Sequence, residues 1–174
     1  MKPLLAAFAA RGIPFKGIIY AGLMIQNSIP RVLEFNMRMG DPETQPILFR
    51  LKSDLVELME AAIDGRLAEI DVLYDSRPAV CVVMAAGGYP GDYTKGQPIL
   101  GLDDAAQVPD TFVFHAGTVL KDGAIVTGGC RVLGVTARGA TIQEAVASAY
   151  DAAKRIGWDG VQYRKDIARK AFGR

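Results

Sequence analysis

Between residues 79 and 137 the chain is written as short β-branched and apolar runs separated by glycine-rich turns, and that spacing excludes a helical bundle for its second half. Strands are predicted over 79–86, 97–102, 111–115, 124–127 and 131–137, with Lys121-Asp122-Gly123 as a hairpin turn. Thr141 with Glu144 then forms a capping box that opens an amphipathic helix over 141–156. Ile142, Ala145, Val146, Ala149, Ala153 and Ile156 fall on one face of it. Several short strands closed by one such helix imply a small barrel or sandwich.

The first half has a different grammar. Residues 3–11 suit a helix stopped by Gly12 and Pro14. Residues 15–26 and 31–36 suit two strands joined by a turn at 27–30. Asp41 can cap a further helix with Pro42 in its first position and Glu43 near the positive end of its dipole, while Pro46 keeps that piece short or kinked. Ser53 or Asp54 opens a longer helix through 62, with Leu55, Leu58, Met59 and Ala62 at core spacing and Gly65 past its end. The change of pattern across 66–78 divides the chain into 1–76 and 77–174, an α+β organisation.

Composition narrows the functional classes. A chain of 174 residues buries enough surface to need neither disulfides nor a structural metal. Its formal charge of +1 gives no field for a polyanion, so nucleic acid is not an expected partner. No run approaches the ~20 apolar residues that span a bilayer, so no membrane partner is expected either. Cys81 and Cys130 lie in apolar runs without metal-ligand spacing, which suits reduced core residues in a cytoplasmic protein. The basic tail over 162–174 reads as a solvated, fraying helix.

The sharpest local signal is Glu34-Phe35-Asn36. A period of two places Glu34 and Asn36 on one strand face, where two hard oxygens could take Mg²⁺ and leave its other positions to water and phosphate. Arg38 would continue that face if the strand ran on, adding a guanidinium with the fork geometry for phosphate. Spacing alone equally fits a half-exposed strand with no ligand. His115 has no partner of the kind a general base needs, and Gly87-Gly88-Tyr89-Pro90-Gly91 lacks the ending of a phosphate loop and reads as a turn.

The neighbouring words are more specific. VLEFNMRMGDPETQP, preceded by KGIIYAGLMI and followed by RLKSDLVELM, resembles the end of the ATP-grasp domain in the glycinamide ribonucleotide synthetase (phosphoribosylamine–glycine ligase) family. The resemblance continues through VVMAAGGYPGDYTKG, VFHAGT, TGGCRVLGVTA and YRKDIA and so covers essentially the whole chain. It implies the C-terminal part of an ATP-grasp domain, antiparallel strands with helices, followed by a small β-rich, barrel-sandwich-like domain with its closing helix. It carries Glu34 and Asn36 over as ligands of Mg²⁺ (or Mn²⁺) on ATP, and Arg38 as the catalytic cation facing phosphate. Many other ATP-grasp enzymes place a further acidic ligand on the preceding strand, where this chain has Tyr20-Ala21-Gly22.

The implied reaction joins 5-phosphoribosylamine to glycine through glycyl phosphate at the expense of ATP, a step of purine biosynthesis. Asp41 and Glu43 could hold the glycine ammonium, or could simply serve the helix that follows them. The resemblance begins deep in the ATP-grasp domain, so the chain is expected to be a fragment or one half of a split ligase, inactive alone. An ATP-grasp sheet cut partway should also self-associate through strand 17–25. The competing reading is a non-catalytic interaction or carrier-like module, for which a modifiable Lys at a hairpin tip is required; Lys121 is the nearest candidate and lacks the Met-Lys-Met or Asp-Lys-Ala setting.

Overall fold

In a computed structural model, which describes residues 1–172, the elements run α1 (Lys2–Ala10), β1 (Tyr20–Gln26), β2 (Ile29–Asn36), α2 (Thr44–Arg50), α3 (Leu55–Asp64), β3 (Ala79–Ala85), α4 (Leu102–Ala106), β4 (Thr111–His115), β5 (Thr118–Lys121), β6 (Ala124–Thr127), β7 (Arg131–Arg138) and α5 (Ile142–Arg155). The fold is mixed α/β with antiparallel pairing between the strands. By its internal packing the chain falls into two units, Met1–Gly40 with Leu51–Tyr74, and Asp41–Arg50 with the chain from Asp75 onward. No helix among the described residues is long and apolar enough to cross a membrane.

The first unit is built on the β1–β2 hairpin. Gln26 pairs with Ile29, so the turn is only Asn27-Ser28, and both take positive φ, 50° and 63°, as the twist of a two-residue hairpin demands. The first strand starts at Tyr20 rather than at residue 15, because Gly17 at φ 122° leaves the extended region. Hairpin side chains are exposed on both faces, with Ile25 and Leu33 each at 65%. In α3 the Asp54 carboxylate accepts from the Val56 and Glu57 amides at 2.7 and 3.3 Å, and Gly65 ends the helix in the left-handed region. The buried residue of α3 is Ala61, not Met59; Met59 lies about 200° around the helix from Ala61 and faces out.

The second unit is layered. Its three-stranded sheet has the order β3-β7-β4. One face presents Val82, Met84, Leu133, Val135 and Ala137 to the core under α5, whose Ala145, Ala149, Ala152 and Ala153 are buried. Four alanines let the helix axis approach the sheet closely, where larger side chains would hold it off. The other face carries Cys81, Val83, Gly134 and Thr136, and α2 lies there: a Cβ on Gly134 would meet Cys81 Sγ at 3.2 Å and Gln45 Cγ at 3.6 Å. Thr141 caps α5 by accepting from the Glu144 amide at 3.2 Å, while the Glu144 carboxylate returns to the Ala140 amide, one residue before the reciprocal position of a capping box.

Charge and cation–π contacts hold α2 to this unit. The Arg50 guanidinium donates twice to the Asp75 carbonyl, at 3.0 and 2.9 Å, and the Arg138 guanidinium lies 4.8 Å from the centre of the Phe49 ring. Asp75, itself buried, accepts from Arg77 at 2.9 Å, and Asp110 bridges Arg77 and Arg138 at 3.0 Å each.

Three local expectations change. Residues 97–102 are not a strand: Pro98 and Leu100 make isolated bridges, and Gly101 at φ 80° turns the chain into α4. Pro98 cannot donate to a ladder, which confines it to such an edge position. The tail is not a helix either: Gln162 pairs with Ala85, and a single 3-10 turn follows at Arg169–Ala171. The last basic residue of that tail, Arg174, lies outside the described residues. Finally, the described sheets hold two, three and two strands and stay open, so no closed barrel forms.

Candidate functional site

The hairpin presents Glu34 and Asn36 together. Glu34 pairs with Gly22 and Asn36 with Tyr20, and the Asn36 Nδ2 donates to Glu34 Oε1 at 3.1 Å. Between Gly22 and Leu23 the register slips: Gly22 faces Glu34 while Leu23 faces Val32, so Leu33 has no partner. A bulge of this kind bends a strand and re-aims the adjoining side chain, here Glu34. Gly22 makes the space for it, since a Cβ there would lie 3.0 Å from Glu34 Cγ.

Chemically this is a carboxylate and an amide oxygen side by side on a solvent-exposed strand. The amide nitrogen is engaged with Glu34, which leaves the Asn36 oxygen as a donor. Two hard oxygens with open approach suit a divalent cation that keeps water or phosphate in its remaining positions. Among the described residues no three His, Cys, Asp or Glu side chains converge on a common point. Arg38 does not continue the face, because β2 ends at Asn36; its guanidinium donates to the Met39 carbonyl at 2.9 Å.

Asp41 and Glu43 belong to the second unit. The helix they were expected to open begins only at Thr44, and Pro46 sits in its first turn, where a missing N–H costs nothing. The Glu43 carbonyl accepts the Ile47 amide at 3.3 Å. The Asp41 carboxylate reaches Arg131, the first residue of β7, at 3.2 Å. Arg131 escaped the sequence reading. Its one local signal is the preceding Gly128-Gly129, whose lack of side chains permits a tight crossing: a Cβ on Gly117 would lie 2.7 Å from the Gly129 Cα.

The remaining candidates take structural places. Burial pushes the Cys81 thiol up, the Thr136 hydroxyl opposes this and the Asp41 carboxylate adds to it, so Cys81 stays protonated and is a poor nucleophile. His115 is exposed at a strand end, its Nδ1 3.1 Å from the Thr118 hydroxyl. Gly87-Gly88-Tyr89-Pro90-Gly91 is a turn, with the Gly91 amide donating to the Gly88 carbonyl at 2.7 Å. Gly88, at φ 95°, has its would-be Cβ 2.0 Å from the Asp92 carbonyl, so only glycine fits. Lys121 pairs with Ala124 as the last strand residue of its hairpin, and Asp122-Gly123 form the tip, which removes the lysine a carrier module would need there.

Comparison with known proteins agrees with this layout. Residues 79–170 match the family described as phosphoribosylglycinamide synthetase, C domain, and residues 1–44 match phosphoribosylglycinamide synthetase, ATP-grasp (A) domain. The chain is 53% identical over 173 residues to a phosphoribosylamine–glycine ligase of Rhodopirellula baltica, covering 99% of this chain and 40% of the relative. It is 54% identical over 175 residues to the enzyme of that name in Allochromatium vinosum, covering 100% and 41%. The crystal structure of phosphoribosylamine–glycine ligase from Thermotoga maritima superposes with a TM-score of 0.79 at 34% identity, over 93% of this chain and 39% of that one. The chain thus spans about 40% of the length of the curated relatives it matches. With its first 44 residues matched to the ATP-grasp domain and more than half its length to the C domain, the chain belongs to the phosphoribosylglycinamide synthetase family.

Proposed function

We propose that this chain is the C-terminal portion of an ATP- and Mg²⁺- (or Mn²⁺-) dependent ligase that joins 5-phosphoribosylamine to glycine in purine biosynthesis. The observation that carries the reading is the Glu34–Asn36 pair, aimed by a bulge and given room by Gly22, within a chain of this family. Residues 1–76 serve as the end of an ATP-grasp domain and 77–174 as a small C-terminal domain. The open sheet with α5 on its core face, beside the separate β5–β6 hairpin, supports a sandwich-like rather than a barrel description of the latter.

In the reaction, a glycine carboxylate oxygen attacks the γ-phosphorus of ATP and ADP leaves, giving glycyl phosphate. The ribosylamine nitrogen then attacks the acyl carbon, phosphate leaves, and the nitrogen loses a proton. A divalent cation, when bound, neutralises charge on the phosphates during a transfer between two anions. Glu34 and Asn36 hold and orient that cation. Arg38, just beyond the strand, turns its guanidinium from the Met39 carbonyl to phosphate oxygen. Asp41 and Glu43 serve the glycine ammonium.

The test is phosphate release by the complete ligase that contains this sequence. Release should require ATP, glycine, the ribosylamine phosphate and a divalent cation together; turnover without added cation would sink the reading. The 174-residue chain alone should bind ATP more weakly than micromolar, because two oxygen ligands supply little affinity, and calorimetry reads this directly.

A further inference from the structure

A second constellation lies wholly within the second unit. A cavity of about 580 Å³ opens there, in the size range of small-ligand sites. Pro42, Cys81, Tyr89, Arg131, Gln162 and Arg164 are among its lining residues. Most of the wall is apolar, and the two full charges on it are guanidinia. Each is held by a carboxylate: Arg131 by Asp41 at 3.2 Å, and Arg164 by Asp166 through two bonds of 2.8 and 2.7 Å.

Three features single out Arg131. It opens β7 beside a register slip, because Leu133 faces Met84 and Arg131 faces Ala85, leaving Val132 without a partner. This is the same device that aims Glu34 on the hairpin. Its guanidinium is 41% exposed and that of its partner carboxylate 47%, so the pair is open to water and holds weakly against a competing anion. The planar fork of an arginine matches a phosphate monoester in two bonds, whereas Asp41 offers it one described contact. The cavity wall beside it offers Tyr89 and Gln162, a surface suited to a polar ring such as a pentose.

We propose that this cavity takes the phosphorylated ribosyl substrate, that Arg131 binds its 5-phosphate, and that Asp41 holds Arg131 in reserve until the phosphate displaces it. The proposal rests on the ligase reading above for the identity of the substrate. Asp41 then acts as a competitor of the ligand for Arg131. This has an unusual consequence: two residues in contact should have opposite effects on one affinity.

The experiment is calorimetric titration of the 174-residue chain with ribose 5-phosphate, ribose and inorganic phosphate, without ATP or divalent cation. Ribose 5-phosphate should bind saturably, inorganic phosphate at least threefold more weakly, and ribose not measurably. Arg131→Gln should weaken ribose 5-phosphate at least tenfold and Arg131→Lys by less, while Asp41→Asn should tighten it at least twofold. A merely structural ion pair would make both single variants weaken binding together. Equal binding of inorganic phosphate and ribose 5-phosphate, an Arg131→Gln affinity within twofold of the parent, or weaker binding by Asp41→Asn would each overturn the proposal. Thermal melts of the variants identify any unfolded one, and Arg131→Lys keeps the charge if Arg131→Gln does not fold. Because no nucleotide or cation is present, failure here is separable from failure of cation-dependent turnover in the complete ligase.

Discussion

Gly22 and Glu34 face each other across the β1–β2 pair, and the missing side chain of the first is the space the second occupies: a Cβ on Gly22 would lie 3.0 Å from Glu34 Cγ. The backbone of Gly22 lies outside the left-handed region, so space and not conformation is what a larger residue would disturb. Gly22→Ala should therefore leave folding intact and displace Glu34. In the complete ligase the expected result is a several-fold rise in the divalent cation needed for half-maximal phosphate release. An unchanged cation requirement would show that Glu34 can step aside at no cost.

Removing the carboxylate itself is the harsher test. Glu34→Ala in the complete ligase should lower turnover at least about tenfold, equivalent to about 1.4 kcal/mol of barrier. Near-normal turnover at saturating Mg²⁺ would take the ligand role from Glu34.

The charge network of the second unit predicts an acid limb in its stability. The Arg138 bond, aided by Arg77 and opposed by desolvation, holds the Asp110 carboxyl below the usual carboxylate range. A carboxylate depressed in the folded state contributes stability that is present above its unfolded pKa of about 3.9 and is lost as pH falls through the folded value. Asp166, held down by Arg164, titrates in the same sense. Asp110→Asn should cost about 1 kcal/mol or less at neutral pH, since the pair is partly exposed, and the cost should shrink with salt. Urea melts from pH 6 to pH 2 should show a flatter acid limb for Asp110→Asn, flattest with Asp166→Asn added. Superimposable limbs for parent and variant would exclude the network as the cause.

Ile25 and Leu33, each 65% exposed on a hairpin with little buried surface, predict association of the 174-residue chain through its first unit. Light scattering should show mass rising with concentration, and the double variant Ile25→Lys with Leu33→Lys should stay monomeric. A monodisperse parent at high concentration would mean that other parts of the chain shield these side chains.

What proved legible in the residues was short in range. The turn at Asn27-Ser28, the caps Asp54 and Thr141, the hairpin tip Asp122-Gly123 and the common face of Glu34 and Asn36 each depend on groups within four residues of one another. Local failures share a cause too. Residues 97–102 and the tail had the composition of a strand and of a helix, but their backbone groups are claimed by distant partners, Val126 and Gly157 for the first and Ala85 for the second.

By itself, the sequence determined the family, the hairpin that carries Glu34 and Asn36, and the helix that closes the second unit, because periodicity and capping act through the nearest turns of chain. Only the tertiary structure decided that Leu33 is squeezed out of register beside Glu34, that Asp41–Arg50 leaves its neighbours to lie on the second unit's sheet, and that Asp41 meets Arg131. Pairing register and ion pairs between residues some ninety positions apart are chosen by packing across the whole fold, where many sequences of equal local preference compete and no window of a few residues holds the answer.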